Sequence, residues 1–211
     1  MANGGRIGGR NVLGVDGYSG VWTPNEIADA RRSVGSYAPV WVSDGSSLTG
    51  WTVSGATVDA TLGDPAPSFK ATGGKYAYIA PVVGLIGKSI TARVRVIPGT
   101  VALCDLFFGC NASGAGRMLR LEARSGNPSG IATTTSWTAW GTPAATGVVV
   151  PAGQWLSIRI DIKAGPVADW YLDGVLKQSN VSIAVNGDYI AISGDGGTVT
   201  GGNFDNLQIL A

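Results

Sequence analysis

The carboxylic side chains are the first candidates for chemistry in this sequence. Of its 14 acidic residues only Glu26 and Glu122 are glutamates, and the chain has no histidine. A glycosidic bond is cleaved by two carboxyl groups that face one cleft, one acting as acid and one as base or nucleophile. Glu26 fits a helix cap, Glu122 stands between Arg120 and Arg124, and no Asp-x-Asp or Asp-x-Glu spacing occurs on a predicted strand. We therefore expect no catalytic residues and interpret the chain as a non-enzyme.

A pair of tryptophans is the strongest candidate for ligand binding. Trp137 and Trp140 lie three residues apart, with Thr138 between them. Flat aromatic rings beside hydroxyl groups suit the CH-rich faces of a sugar, and the indole N–H adds a donor. The alternative is structural, because both rings could instead cover an edge of the hydrophobic core.

Oxygen-bearing side chains near the C-terminus are candidate calcium ligands. They are Asp188, Asp195, Asp205 and Asn206. Calcium takes six to eight oxygen ligands, so several loops would have to contribute. The alternative for Asp205 and Asn206 is that their side chains bind backbone groups at the start of a strand. Calcium is the only cofactor that we consider, and the sequence implies no other.

Composition excludes several classes of partner. The 211 residues carry a net charge of +1, and only 14% of them are charged, so no field attracts nucleic acid. No apolar run approaches the ~18 residues of a membrane span, and the first six residues lack the apolar core of a secretory signal. The 33 glycines indicate a fold with many tight turns.

The two cysteines, Cys104 and Cys110, are expected to be buried free thiols. They lie six residues apart in one strand-like run, so both thiols would point to the same face. Along an extended strand they are separated by about 20 Å, too far for a disulfide.

Strict alternation predicts half-buried antiparallel strands. Residues 155–163 alternate isoleucine with polar residues, and Asp173-Gly174 supplies the positive φ angles of a two-residue hairpin turn. We expect burial of Ile158, Ile160, Ile162, Leu119, Leu121, Val94 and Leu207. We expect exposure of Arg159, Asp161, Arg120 and Arg95.

These late strands resemble the concanavalin A-like, laminin-G-type jelly roll. The resemblance rests on the Trp-led strand, the Tyr-Leu-Asp-Gly hairpin at 171–174 and the Phe-Asp-Asn strand at 204–206. It implies an all-β, antiparallel β-sandwich over 41–211, and more often a binding or structural module than an enzyme.

The first forty residues differ from the rest. Glycine-rich residues 1–22 should form an extended arm that becomes ordered only against a partner. Thr23, Pro24 and Glu26 form a helix start with a capping box, which predicts a short helix over about 24–33.

This leader resembles the N-terminal segments of tailed-bacteriophage structural proteins. The similarity covers residues 1–37, where the glycine-rich stretch leads through "GVWTPNEIADARR". It implies that residues 1–40 anchor the protein in a virion. The candidate anchoring residues are Arg6, Arg10, Asn11 and Trp22.

The resulting interpretation is a bacteriophage virion protein assembled in the host cytoplasm. A host-facing tail fibre or tail-tip appendage ranks first, with host-surface glycan as possible ligand and other virion proteins as partners. A capsid decoration protein and a free carbohydrate-binding lectin module are the alternatives. We expect a homotrimer, because closed symmetric assembly is the usual outcome for self-associating chains.

Overall fold

The fold is a sandwich of two antiparallel sheets, as the computed structural model shows for residues 39–81, 83–124, 129–138, 143 and 147–211. These described residues contain fourteen strands and no helix, which confirms the predicted all-β class. The predicted arm, the helix at about 24–33 and the four anchoring residues lie outside them. The strands are β1 (Pro39–Ser43), β2 (Thr52–Ser54), β3 (Thr57–Asp59), β4 (Ser68–Ala71), β5 (Tyr76–Ile79), β6 (Ser89–Val96), β7 (Leu103–Cys110), β8 (Gly116–Glu122), β9 (Gly130–Thr134), β10 (Leu156–Ile162), β11 (Val167–Leu172), β12 (Val175–Ser182), β13 (Tyr189–Ser193) and β14 (Gly202–Leu210).

The strand order is that of a jelly roll. One sheet has eight strands in the order β12-β11-β10-β6-β14-β4-β3, with β1 also paired to β14. The other has six strands in the order β2-β5-β13-β7-β8-β9. Chain neighbours such as β6 and β7 lie in different sheets, so the two sheets are interleaved in sequence and share one core.

Alternation along β10 places the predicted isoleucines in this core. Ile158, Ile160 and Ile162 are all at most 2% exposed, and the other four residues expected to be buried are buried as well. The hairpin is confirmed too, because Asp173 and Gly174 have φ angles of 48° and 78° between β11 and β12. The described residues include no helix long and apolar enough to cross a membrane.

The expectation of exposure holds for only one of four charged residues. Arg159 is exposed, whereas Asp161 and Arg95 are half-buried. The prediction for Arg120 is wrong, since this side chain is 1% exposed. Glu122, which we had placed on the same polar face, is 3% exposed. The reason is that β8 is covered on both of its faces, so a polar residue in its alternating pattern does not mark a solvent-facing side.

The two cysteines are buried and free, as expected, but they do not face the same way. Cys104 belongs to the sandwich core, whereas Cys110 belongs to a separate cluster on the outer face of the six-stranded sheet. The pairing of β7 with β13 shifts by one residue before Cys110, and Gly109 has a φ of +62° there. Such a bulge inserts one residue and reverses the facing of the residues that follow. Burial raises the pKa of the Cys110 thiol to about 12.

Candidate functional site

The outer face of the six-stranded sheet carries a band of aromatic and small apolar side chains. Backbone pairing sets Tyr78 opposite Ala191, Ala191 opposite Phe107, and Phe107 opposite Met118. Cross-strand neighbours on one face lie about 5 Å apart, close enough for their side chains to touch. We call this second cluster the aromatic face. It comprises Tyr76, Tyr78, Phe107, Cys110, Met118, Ala132, Trp137, Tyr189 and Ala191.

Trp137 occupies the centre of the aromatic face. Its ring is nearly parallel to that of Tyr78, with the ring centres 4.8 Å apart and the planes 13° apart. Tyr76 and Tyr189 lie 6.5 and 6.4 Å from it, and Phe107 meets it edge-on at 5.7 Å. Trp137 is only 5% exposed, whereas the three tyrosines are half-buried. The accessible part of this face is therefore a rim of tyrosine around a buried indole.

The backbone around Trp137 is held by specific contacts. The Ser193 hydroxyl donates to the Trp137 carbonyl at 3.0 Å, and the Thr134 hydroxyl donates to the Ser136 carbonyl at 2.7 Å. Gly114 closes the turn from the other side: it has a φ of +92°, and a Cβ atom there would stand 2.4 Å from the Trp137 nitrogen. Only glycine fits this close approach, so the position of Trp137 depends on three separate segments.

A buried group of charges lies next to the aromatic face on the same side of the sheet. Arg120 on β8 stands opposite Asp105 on β7, with Nε 3.1 Å from Oδ1 and Nη2 3.3 Å from Oδ2. The same Nη2 lies 2.5 Å from Oδ2 of Asp195. Glu122 follows on β8 and pairs with the half-exposed Arg124. We call Asp105, Arg120, Glu122 and Asp195 the ionic cluster; each is at most 3% exposed.

The ionic cluster holds more acid than base. Burial raises the pKa of Asp105 to about 7, against the opposing effect of the Arg120 charge, and burial also raises the pKa of Asp195. Both carboxylates bind the Arg120 guanidinium and neither is open to solvent. They are therefore not an accessible acid–base pair of the kind that glycosidic cleavage uses, and their evident role is to hold β7, β8 and the segment after β13 together.

The structure describes only part of the predicted tryptophan ligand-binding site. Thr138 is exposed, Trp137 is buried against Tyr78, and Trp140 lies outside the described residues. The ring of Trp137 thus packs within the aromatic face and not against the sandwich core. Sequence reasoning missed Tyr76, Tyr78 and Tyr189, because they come from β5 and β13, which become neighbours only through the sheet pairing. The one available signal was the spacing of Tyr76 and Tyr78, which puts both on one face of a strand.

The four candidate calcium ligands do not meet at one place. Asp195 binds Arg120, whose positive charge opposes a cation there. Asp205 lies inside β14 and accepts the backbone N–H groups of Asp64 and Asn206, both at 2.7 Å. The exposed Asp188 accepts from the backbone nitrogen of Leu85 at 3.3 Å. In the part of the chain that the structure describes, no group of three or more His, Cys, Asp or Glu could hold a metal ion.

Comparison with solved structures places the chain in a widespread fold. No family model matches the sequence, and no curated protein matches it. The carbohydrate-binding module CBM66 from Bacillus subtilis superposes with a TM-score of 0.57 at 14% identity, covering 77% of this chain and 96% of that one. The cellulose-induced protein Cip1 gives 0.57 at 16% identity, covering 80% and 96%.

A third similar structure is domain 4 of AbnA, an extracellular arabinanase from Geobacillus stearothermophilus, in complex with arabinotriose. It gives a TM-score of 0.51 at 15% identity and covers 79% of this chain and 86% of that one. At these identities the three comparisons establish the jelly-roll fold.

Proposed function

We propose that this protein is a glycan-binding module and that the aromatic face is its binding surface. The observation that carries the proposal is the rim of half-buried tyrosines, Tyr76, Tyr78 and Tyr189, held around Trp137. Aromatic rings pack against the CH-rich faces of sugars, and phenolic hydroxyls can exchange hydrogen bonds with sugar hydroxyls. The shared fold with a carbohydrate-binding module and with an arabinotriose-bound domain supports this class of ligand.

The ligand of this face should be a neutral sugar. The ionic cluster beside this face is buried, and its carboxylates are paired with arginines. The half-buried side chains of the face itself include three tyrosines, which offer apolar area and hydroxyl groups but no charge. Catalysis finds less support, because the carboxylates of this face are bound to Arg120 and Arg124.

The experiment is affinity electrophoresis of the purified protein in gels containing hydroxyethylcellulose, xylan or galactomannan. At least one of these neutral polysaccharides should retard the wild-type protein. Tyr189→Ala, which removes one ring from the rim, should weaken that retardation about tenfold or more, since a well-placed aromatic contact contributes about 1–3 kcal/mol.

Trp155→Ala is the matched control, because Trp155 is also a half-buried aromatic residue and lies directly before β10 of the other sheet. It should leave the retardation unchanged. Equal losses in the two variants, or no retardation by any of the three polysaccharides, would contradict the assignment of the aromatic face.

The N-terminal sequence favours a location for this module within a virion. The resemblance of residues 1–37 to tailed-phage structural proteins favours a host-facing tail fibre or tail-tip appendage, with residues 1–40 as anchor and 41–211 as the outward domain. A capsid decoration protein is the alternative within a virion. A free lectin module is the alternative outside one, and the comparisons, which concern the jelly roll alone, support that alternative better than a virion role.

The anchoring proposal includes a homotrimer. Light scattering of the full chain should give three times the mass of one chain, and removal of residues 1–38 should give a monomer, because the apolar residues of this segment would form the contacts between subunits. A full chain that is monomeric at micromolar concentration would refute the trimer, and the arm's partner would then be a different virion protein.

A further inference from the structure

The outer face of the eight-stranded sheet carries an open groove with a volume of about 500 Å³ and a mixed polar and apolar lining. It lies on the opposite side of the sandwich from the aromatic face. Its floor is formed by β6, β10 and β14, and the β11–β12 hairpin borders it at Gly174. The polar side chains that line it are Thr91, Arg93, Ser157, Arg159, Asn206 and Gln208.

Sheet register aligns four of the side chains on this face into one row. Tyr171 on β11 pairs with Arg159 on β10, Arg159 pairs with Thr91 on β6, and Thr91 pairs with Gln208 on β14. Adjacent strands lie about 4.8 Å apart, so the row is about 14 Å long. That length accommodates an extended ligand of two or three sugar rings.

Arg159 is preorganised for an anion. Its guanidinium carbon lies 3.9 Å from the centre of the Tyr171 ring, and its Nε lies 3.1 Å from Oδ1 of Asp161. The side chain is 45% exposed, and among the described residues Asp161 is its ion-pair partner. A stacked, partly exposed guanidinium matches the two oxygens of a carboxylate.

The other charges near the groove are already engaged. Arg93 donates from Nε and Nη2 to Asp64 and from Nη1 to the Ser157 hydroxyl at 2.6 Å. Asp161 accepts the Ser89 hydroxyl at 2.7 Å in addition to its contact with Arg159. Of the two arginines that line the groove, Arg159 is thus the one more available to a ligand.

We propose that this groove is a second binding site, specific for saccharides that carry a carboxylate. The carboxylate binds the Nη groups of Arg159, while sugar hydroxyls bind the side chains of Thr91 and Gln208 along the row and of Ser157 beside it. The site uses no residue of the aromatic face, so its test does not depend on the neutral-glycan proposal.

Isothermal titration calorimetry on the full chain tests this site with two acidic probes, trigalacturonate and sialyllactose. At least one should bind, and its affinity should fall with added salt. The methyl ester of the bound probe, which lacks the charge, should bind at least tenfold more weakly. Arg159→Gln should weaken binding about ten- to a hundredfold, the range expected for hydrogen bonds to a charged group.

Lys163→Gln and Tyr189→Ala are the controls. The first removes the same charge just beyond the end of β10 and outside the groove, and the second alters the aromatic face; neither should change the affinity for the acidic probe. Thermal melting should show that Arg159→Gln is folded. Equal binding of the methyl ester, unchanged binding by Arg159→Gln, or no heat of binding with either probe would each overturn the second site.

Discussion

Replacement of Arg120 by alanine is expected to destabilise the domain by about 3–5 kcal/mol, the cost of leaving buried charges without their partner. Asp105 and Asp195 both bind this guanidinium, and neither is exposed. Without it, two carboxyl groups would remain in a site that water does not reach. The free energy of unfolding of a domain is typically about 5–15 kcal/mol, so a large fraction of it would be lost. Urea unfolding followed by tryptophan fluorescence measures the change.

Arg93→Ala provides the matched comparison, because Arg93 also pairs with an aspartate, Asp64, but both side chains of that pair are partly exposed. Its loss should cost about 1 kcal/mol or less, as for other solvent-screened pairs. The triple variant Asp105→Asn, Arg120→Met, Asp195→Asn removes the charges together and should be more stable than Arg120→Ala alone. If Arg120→Ala retains stability within about 1 kcal/mol of wild type, the ionic cluster does not bind these segments together.

Ile160→Asp should prevent stable folding. Ile160 is completely buried and stands between Trp170 on β11 and Ile90 on β6, which are also fully buried. An unpaired carboxylate in that position costs several kcal/mol, comparable to the whole stability of a domain. The expected result is insoluble protein, or soluble protein without a cooperative thermal transition by circular dichroism.

Val175→Asp is the control for this substitution. Val175 lies on β12 of the same sheet and is 57% exposed, so the same kind of change should leave the melting transition in place. A soluble Ile160→Asp variant that unfolds cooperatively would show that Ile160 does not point into the core and that the buried face of β10 is assigned wrongly.

The sequence was sufficient for the core-facing residues of β10 and β8 and insufficient for the outer face of β8 in the six-stranded sheet. On β10, buried isoleucines alternate with more exposed residues because one face of the strand is open to solvent: Ile158, Ile160 and Ile162. β8 has no such face, so Arg120 is buried despite the same alternating pattern. The reversal at Cys110 depends on the Gly109 bulge, which alternation alone cannot indicate.

The candidate sites were predictable only where their residues are close in sequence. Trp137 was identified from its neighbours Thr138 and Trp140. Tyr78 and Tyr189 reach it through the pairing of β5, β13 and β7, and the row of Arg159 and Thr91 likewise exists only through sheet register. Long-range pairing of this kind leaves no local pattern in a single sequence.

Every side chain of β7 is buried, on the core side and on the side of the aromatic face alike. β7 is also a central strand, paired to β13 and β8 along both edges. Its backbone can therefore loosen only when the whole sandwich opens, and not by local fraying. Ligand binding at the aromatic face would then require little ordering of the sheet beneath it, so more of the contact energy would appear as affinity.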